Sequence, residues 1–324
     1  MMARPGAYIR LVKRFVTHDI WQLDLESLSK MRARFVRDLK ILLITIRTFS
    51  AGRIGSQAVA LSFFCTMAVV PFIAVAFAIT GGLGQAERLR TLLYANFDNQ
   101  QTIDMVLGFA DNIIRTAQSG PVGLVSALLF VWLVIWMMIS VERSFNNVWR
   151  VKKRRNPLQS FGFYLLILFL SPFVVMLFFS GTIVYSHVLD YIIPHTVAFS
   201  DRIKSFLGWM VFGVIAVFVI SLMYKYIPCC KVRYKRALKA ALFSGTAFTL
   251  LQYLYLETQV FVTRLNTIYG ALAAIPLFMF WLNFGWFIIL FGAELSYAFQ
   301  NVDHYNLPEG SIGDIKPAYK EDVQ

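Results

Sequence analysis

Six long apolar stretches, joined by short connections of alternating charge, restrict what this chain can fold into. They run roughly Gln57–Thr80, Val122–Val141, Gly162–Val188, Phe206–Ile227, Leu238–Thr258 and Ala271–Phe299, and each is nearly free of charge inside. A helix of about 20 residues covers the roughly 30 Å hydrocarbon core of a bilayer. The pattern predicts an all-α polytopic membrane protein with six transmembrane helices. Residues 57–299 would form the membrane domain, 1–56 a cytoplasmic N-terminal region and 300–324 a mobile cytoplasmic tail. At 58% hydrophobic and 15% charged over 324 residues, the chain has too little polar surface for a soluble domain of its size.

The formal net charge of +13 invites a nucleic-acid reading, but its distribution points to topology. Residues 1–56 carry 11 Lys+Arg and the connections 142–161 and 225–239 carry 6 each. With the tail these segments hold 25 of the 31 cations, and the alternate connections hold 6. That is the positive-inside pattern for six spans with both termini in the cytoplasm. The expected partners are membrane lipids, with anionic headgroups drawn to the basic clusters, and not nucleic acid. The candidate lipid contacts are Arg150, Lys152, Lys153, Arg154 and Arg155 in one connection, and Lys231, Arg233, Lys235 and Arg236 in another. Whether a homo-oligomer or an envelope protein partner is involved is left open.

Cys65, Cys229 and Cys230 cannot make a disulfide framework. Adjacent Cys229 and Cys230 read as small membrane-edge residues, with acylation as the alternative. The first 30 residues lack an apolar core and a small-residue cleavage site, so the first span is expected to act as its own insertion signal.

Residues 31–49, MRARFVRDLKILLITIRTF, are not a span. Phe35, Leu39, Leu42, Ile46 and Phe49 recur at helical spacing, while Arg32, Arg34, Arg37, Lys40 and Arg47 fall mostly elsewhere. This predicts an amphipathic helix in the cytoplasmic interface, its stripe on lipid or on the bundle. The connection between spans one and two is about 40 residues, and Ile103, Val106, Ala110, Ile113 and Ala117 form a helical stripe in it. It predicts a helical external cap.

Three segments carry a family resemblance. They are TIYGALAAIPLFMFWLNFGWFIILFGAELSYAF (Thr267–Phe299), ALSFFCTMAVVPFIAVAFAITGGLG (Ala60–Gly84) and VERSFNNVWRVKKRR (Val141–Arg155). At these residues the chain resembles the YihY/virulence factor BrkB family of bacterial inner-membrane proteins, over about residues 40–300. The resemblance implies six spans in the cytoplasmic membrane. Members of that family have carried labels of tRNA-processing ribonuclease and of virulence or serum resistance.

The residues argue against a nuclease. Metal-dependent phosphodiester cleavage needs His, Asp and Glu converging on one or two metals. His18, His187, His195 and His304 have no ligand-like spacing, and the 18 carboxylates are scattered. No paired-carboxylate run or phosphate-binding glycine loop is present. No enzyme activity, cofactor or metal is expected.

Polarity inside the spans is costly and therefore informative. At 100° per residue, Pro276, Asn283 and Glu294 fall on one face of the sixth span. In the fifth, Gly245, Thr249, Gln252 or Tyr253, and Glu257 make a second stripe. Ser62 and Thr66 lie one turn apart in the first span, and Tyr269 opens the sixth. Pro71, Pro172 and Pro276 are candidate bends. These residues either line a shared polar path or hold helices together by close approach and hydrogen bonds. Glu142 and Glu294, beside many cations, read as ion-pair partners. The expected function is transport or translocation of an envelope component, a lipid or lipid-linked anion, against the alternative of a non-catalytic membrane scaffold. A nuclease ranks last.

Overall fold

The computed structural model describes residues 20, 29–82, 84, 86–96, 100, 103–104, 107–108, 111–112, 115, 121–151, 160–166, 169–170, 200–265 and 270–302. Among the described residues there is no strand. The main helices are α1 (Lys30–Ala51), α2 (Ile54–Gly82), α3 (Ala86–Asn96), α4 (Pro121–Val148), α5 (Ser200–Tyr226), α6 (Tyr234–Leu265) and α7 (Gly270–Asn301). Of the predicted third span, residues 162–166 and 169–170 are described, and they are helical, as are residues 160 and 161 before it. Two segments, Ser205–Tyr226 and Pro276–Asn301, are long and apolar enough to cross a membrane by length and composition.

The hub is α7, which packs against α1, α2, α4, α5 and α6. Small residues explain how so many helices reach it. Gly292, Ala293 and Ala298 are fully buried on its C-terminal half, and small residues let backbones approach closely. The same device joins α5 to α6, where a Cβ at Gly245 would lie 2.9 Å from Val217 Cα. The buried core draws Val141, Phe145 and Trp149 from α4 and its exit, Ile220 and Tyr224 from α5, Ala237 and Ala241 from α6, and Leu290 to Ala298 from α7. These residues gather at the end of the bundle that carries Arg150, Lys231, Arg233, Lys235 and Arg236, here termed the basic end.

Packing thins away from the basic end. Residues 125, 128, 129 and 132 of α4, 206, 210, 211 and 214 of α5, and 276, 280 and 284 of α7 are exposed. In a membrane protein that surface is the part lipid can cover.

On α1 the packed stripe is not the expected one. Ile41, Ile44, Thr45 and Thr48 are buried, whereas Phe35, Leu42 and Ile46 are 70%, 45% and 51% exposed. Threonines look polar in a sequence pattern, but here the Thr45 hydroxyl bonds back to its own helix and the Thr48 hydroxyl lies between its own helix and α7. Thr45 Oγ1 donates to the Ile41 carbonyl and Thr48 Oγ1 reaches the Ile44 carbonyl, both at 2.8 Å. Bonded back in this way, Thr45 presents its methyl group to the bundle. Phe49 packs edge-on against Phe287 and Phe291 of α7, at 4.8 and 5.4 Å. The helix therefore has two apolar sides, one seated on α7 and one open.

Between α2 and α4, α3 is tied to the helical residues that follow it. Arg90 donates to both oxygens of Asp111, at 2.7 and 2.8 Å. That bond holds the Arg90 guanidinium above its usual range. Ile103 and Leu107, one turn apart, are buried.

Two buried carboxylates at the basic end

The helices meeting at the basic end bring buried polar side chains inward, among them Thr48 of α1, Glu142 and Asn146 of α4 and Glu294 of α7. Glu294 of α7 is 2% exposed. The hydroxyl of Thr48, 246 positions earlier on α1, donates to its Oε2 at 2.8 Å. Glu142 of α4 is also buried. It accepts from the Tyr164 hydroxyl, from the Cys229 thiol at 3.3 Å and from the Asn146 amide at 3.5 Å.

The expected ion pairs are absent from both residues among the described ones. Hydroxyl donors from other helices, a thiol from the α5–α6 turn and an amide from α4 itself fill the places around the carboxylates. Arg150 illustrates why. It closes α4 in the left-handed region at φ 54. Its N–H bonds to the Asn147 carbonyl at 3.1 Å, and the N–H of Val151 to the Asn146 carbonyl at 2.9 Å. That is a Schellman ending, built without glycine. It turns the guanidinium over the ring of Tyr297, 5.1 Å from the centroid, with a 3.3 Å hydrogen bond to the hydroxyl. A cation held on an aromatic face and on α7 is not free to reach the carboxylates.

Two side-chain amides fix the α5–α6 turn against this site. Asn146 Oδ1 accepts from the Cys229 N–H at 2.8 Å. Gln300 Oε1 accepts from the Arg233 N–H at 3.0 Å, while its Nε2 donates to the Lys231 carbonyl at 3.2 Å. The turn lies outside the apolar segments, and burial pushes the Cys230 thiol up to about 12. Deeper in, Tyr224 donates to the Ile289 carbonyl at 2.8 Å. Its oxygen is 2.7 Å from Ser244 Oγ, which donates to the Ala240 carbonyl. One hydroxyl pair thus joins α5, α6 and α7.

The remaining predicted residues are not gathered at one place. Asn283 is half-buried and has no hydrogen-bond partner among the described residues, and the same holds for Gln252. Near them in sequence, Trp281 Nε1 is buried without a partner, its ring stacked on Tyr255 at 5.2 Å. Asn283 and Glu294 share α7 but stand about 16 Å apart along its axis. Tyr253 is exposed and edge-on to Trp209, and Glu257 is exposed. Ser62 and Thr66 bond to their own helix, at the Val59 and Ser62 carbonyls. Thr249 does the same at the Gly245 carbonyl, with Gly213 of α5 against it.

Pro276 lies within α7 and is exposed. Pro71 lies within α2, its side chain outside the described residues, as are Tyr269 and Pro172. Of the basic residues, Lys231, Arg233 and Lys235 are exposed and Arg236 half-buried, while Lys152, Lys153, Arg154 and Arg155 lie outside the described residues. Sequence reasoning missed Thr48, Tyr164, Asn146 and Gln300. Their roles come from contacts across helices, for which no local spacing exists. Among the described residues no group of three or more His, Cys, Asp or Glu side chains could hold a metal.

A family model described as virulence factor BrkB matches residues 45–311. A UPF0761 membrane protein of Acinetobacter baylyi is 30% identical over 267 residues, which is 80% of this chain and 62% of the relative. One of Aliivibrio salmonicida is 28% identical over 250 residues, 76% of this chain and 78% of the relative. One of Haemophilus influenzae is 25% identical over 255 residues, 77% and 91%. The chain spans 62% and 61% of the length of the Acinetobacter relative and of a Chromohalobacter salexigens one. No solved structure matches the chain.

Proposed function

The chain belongs to the virulence factor BrkB family, and on that premise we propose that this membrane protein translocates an envelope component, a lipid or lipid-linked anion. Six spans cross the cytoplasmic membrane, with the basic end and both termini inside. The α3 region caps the outer side. The open stripe of α1, Phe35, Leu42 and Ile46, faces the acyl boundary, and Arg32 and Arg34 meet anionic headgroups.

One observation carries the transport reading. Asn283 sits half-buried in the thinly packed half of α7, its amide unbonded, close in sequence to the unpartnered Trp281 Nε1. An unpaired polar group at membrane depth costs about 1–3 kcal/mol. A polar substrate group passing that point offsets the cost. The tightly packed basic end is the closed side of such a path.

The second reading is a scaffold that organises envelope proteins. The glycine contacts of Gly245 and Gly292 favour it, because they fix α5, α6 and α7 as one body. In neither reading is the protein an enzyme.

The two readings separate on what the protein holds. Extraction into nanodiscs with native lipid, followed by mass analysis of bound molecules, is the test. Enrichment of one anionic amphiphile over the bulk membrane supports translocation. Bound lipid of bulk composition removes that support and leaves the scaffold.

A further inference from the structure

We propose that Glu294 is a proton-binding site, holding an exchangeable proton between α7 and the N-terminal helix α1. The observation is the pairing of a sealed carboxyl with a hydroxyl that also has acceptors on its own helix, the Ile44 carbonyl at 2.8 Å and the Thr45 carbonyl at 3.2 Å. Thr48 Oγ1 lies 2.8 Å from Glu294 Oε2 and also 2.8 Å from the Ile44 carbonyl. A hydroxyl has one proton to donate and lone pairs to accept with, and a carboxyl donates only when protonated.

The pair therefore has two forms that both keep the bond between α1 and α7. With Glu294 charged, Thr48 donates to Oε2. With a proton on Oε2, Glu294 donates to Thr48 Oγ1, and the threonine proton swings to the Ile44 carbonyl. One proton is taken up from water, one hydroxyl rotates, and the bond between the helices is kept. A permanently charged structural carboxylate would be served better by a fixed donor such as a backbone N–H or an arginine.

The surroundings fit a site that changes charge. The titratable groups on elements packed against α7 include Lys40 of α1, Cys65 of α2, Glu142 and Arg150 at the α4 exit, Tyr224 of α5 and Lys239 of α6. Arg150 acts electrostatically on Glu294, but it is held on the Tyr297 ring and hydroxyl and not in an ion pair with the carboxyl. Glu142 differs: three donors from three segments converge on it, and nothing there provides a second bonded form for all of them. Glu294 sits on the helix that touches nearly every other one, so a change of its charge reaches the whole bundle. As the coupling ion of a translocation cycle, this proton rests on the transport reading. As a binding site it does not.

The test is infrared difference spectroscopy of the full chain in nanodiscs of phosphatidylglycerol and phosphatidylcholine, titrated from about pH 5 to about pH 9. The expected result is a carboxylic-acid carbonyl band that appears as pH falls, is lost in Glu294→Gln, and moves in frequency in Thr48→Val. Thr48→Val keeps Glu294 in place, so it serves even if Glu294→Gln folds poorly. A band that titrates alike in all three proteins belongs to another residue and overturns the proposal. So does a wild-type spectrum in which nothing titrates. A titrating Glu294 in a protein that moves no lipid would keep the site and remove the transport reading; a silent Glu294 in a protein that does move lipid would do the reverse.

Discussion

Gly292 of α7 lies so close to Tyr224 of α5 that a Cβ at position 292 would overlap the tyrosine hydroxyl, with Ser244 Oγ of α6 equally in the way. Three helices meet at that point. Gly292→Ala should cost about 1–3 kcal/mol through forced repacking, although alanine is the better helix former by about 1 kcal/mol. Gly55→Ala is the control, because its Cβ would meet nothing nearer than Phe287 at 3.8 Å. Thermal unfolding in detergent should show a lower Tm for Gly292→Ala and an equal or higher one for Gly55→Ala.

The Cys230 thiol is pushed up to about 12, first by burial and then by the neighbouring Cys229. Thiolate is the reactive form, so a chain with Cys230 as its one cysteine should alkylate very slowly at neutral pH. The rate should climb about tenfold per pH unit until it nears the titration point. Alkylation as fast as in the denatured chain at neutral pH would show the thiol to be open.

Orientation follows from the 25-to-6 division of cations. Single cysteines at Asn99 and Asn156, in a background without the native three, should label oppositely in intact cells. Labelling of Asn156→Cys from outside would reverse the assigned topology.

The proposed function assigns no residue to activating water at a phosphodiester. Protein purified from a host lacking its own processing nucleases should leave tRNA precursors intact with magnesium, manganese or zinc. Cleavage that follows the protein through chromatography and disappears on mutating this chain would make it an enzyme.

The sequence pattern located the helices better than it located their contacts. Five of the six apolar stretches fall inside α2, α4, α5, α6 and α7 almost entirely. The helices run past them, as α6 does from Tyr234 to Leu265, because hydropathy ends at the first charges while the backbone ladder continues into the interface. What pattern could not give is partnership. Glu142 finds Tyr164 and Cys229, 22 and 87 positions away, where charge counting suggested a cation. On α1 the buried side includes Thr45 and Thr48, whose hydroxyls bond within the helix and, for Thr48, also to Glu294, so a hydrophobicity count does not find the side that packs.

The central claim is that the unbonded amide of Asn283 serves a passing substrate and not the packing of α7. Asn283→Leu measures this directly, through movement of a fluorescent anionic lipid in proteoliposomes beside a melting curve in the same lipid. A well-packed leucine replaces a weak polar contact in a membrane at little cost. The account predicts lipid movement reduced to the protein-free rate with Tm nearly unchanged. Wild-type movement in a stably folded Asn283→Leu protein would contradict it and leave the scaffold as the better description.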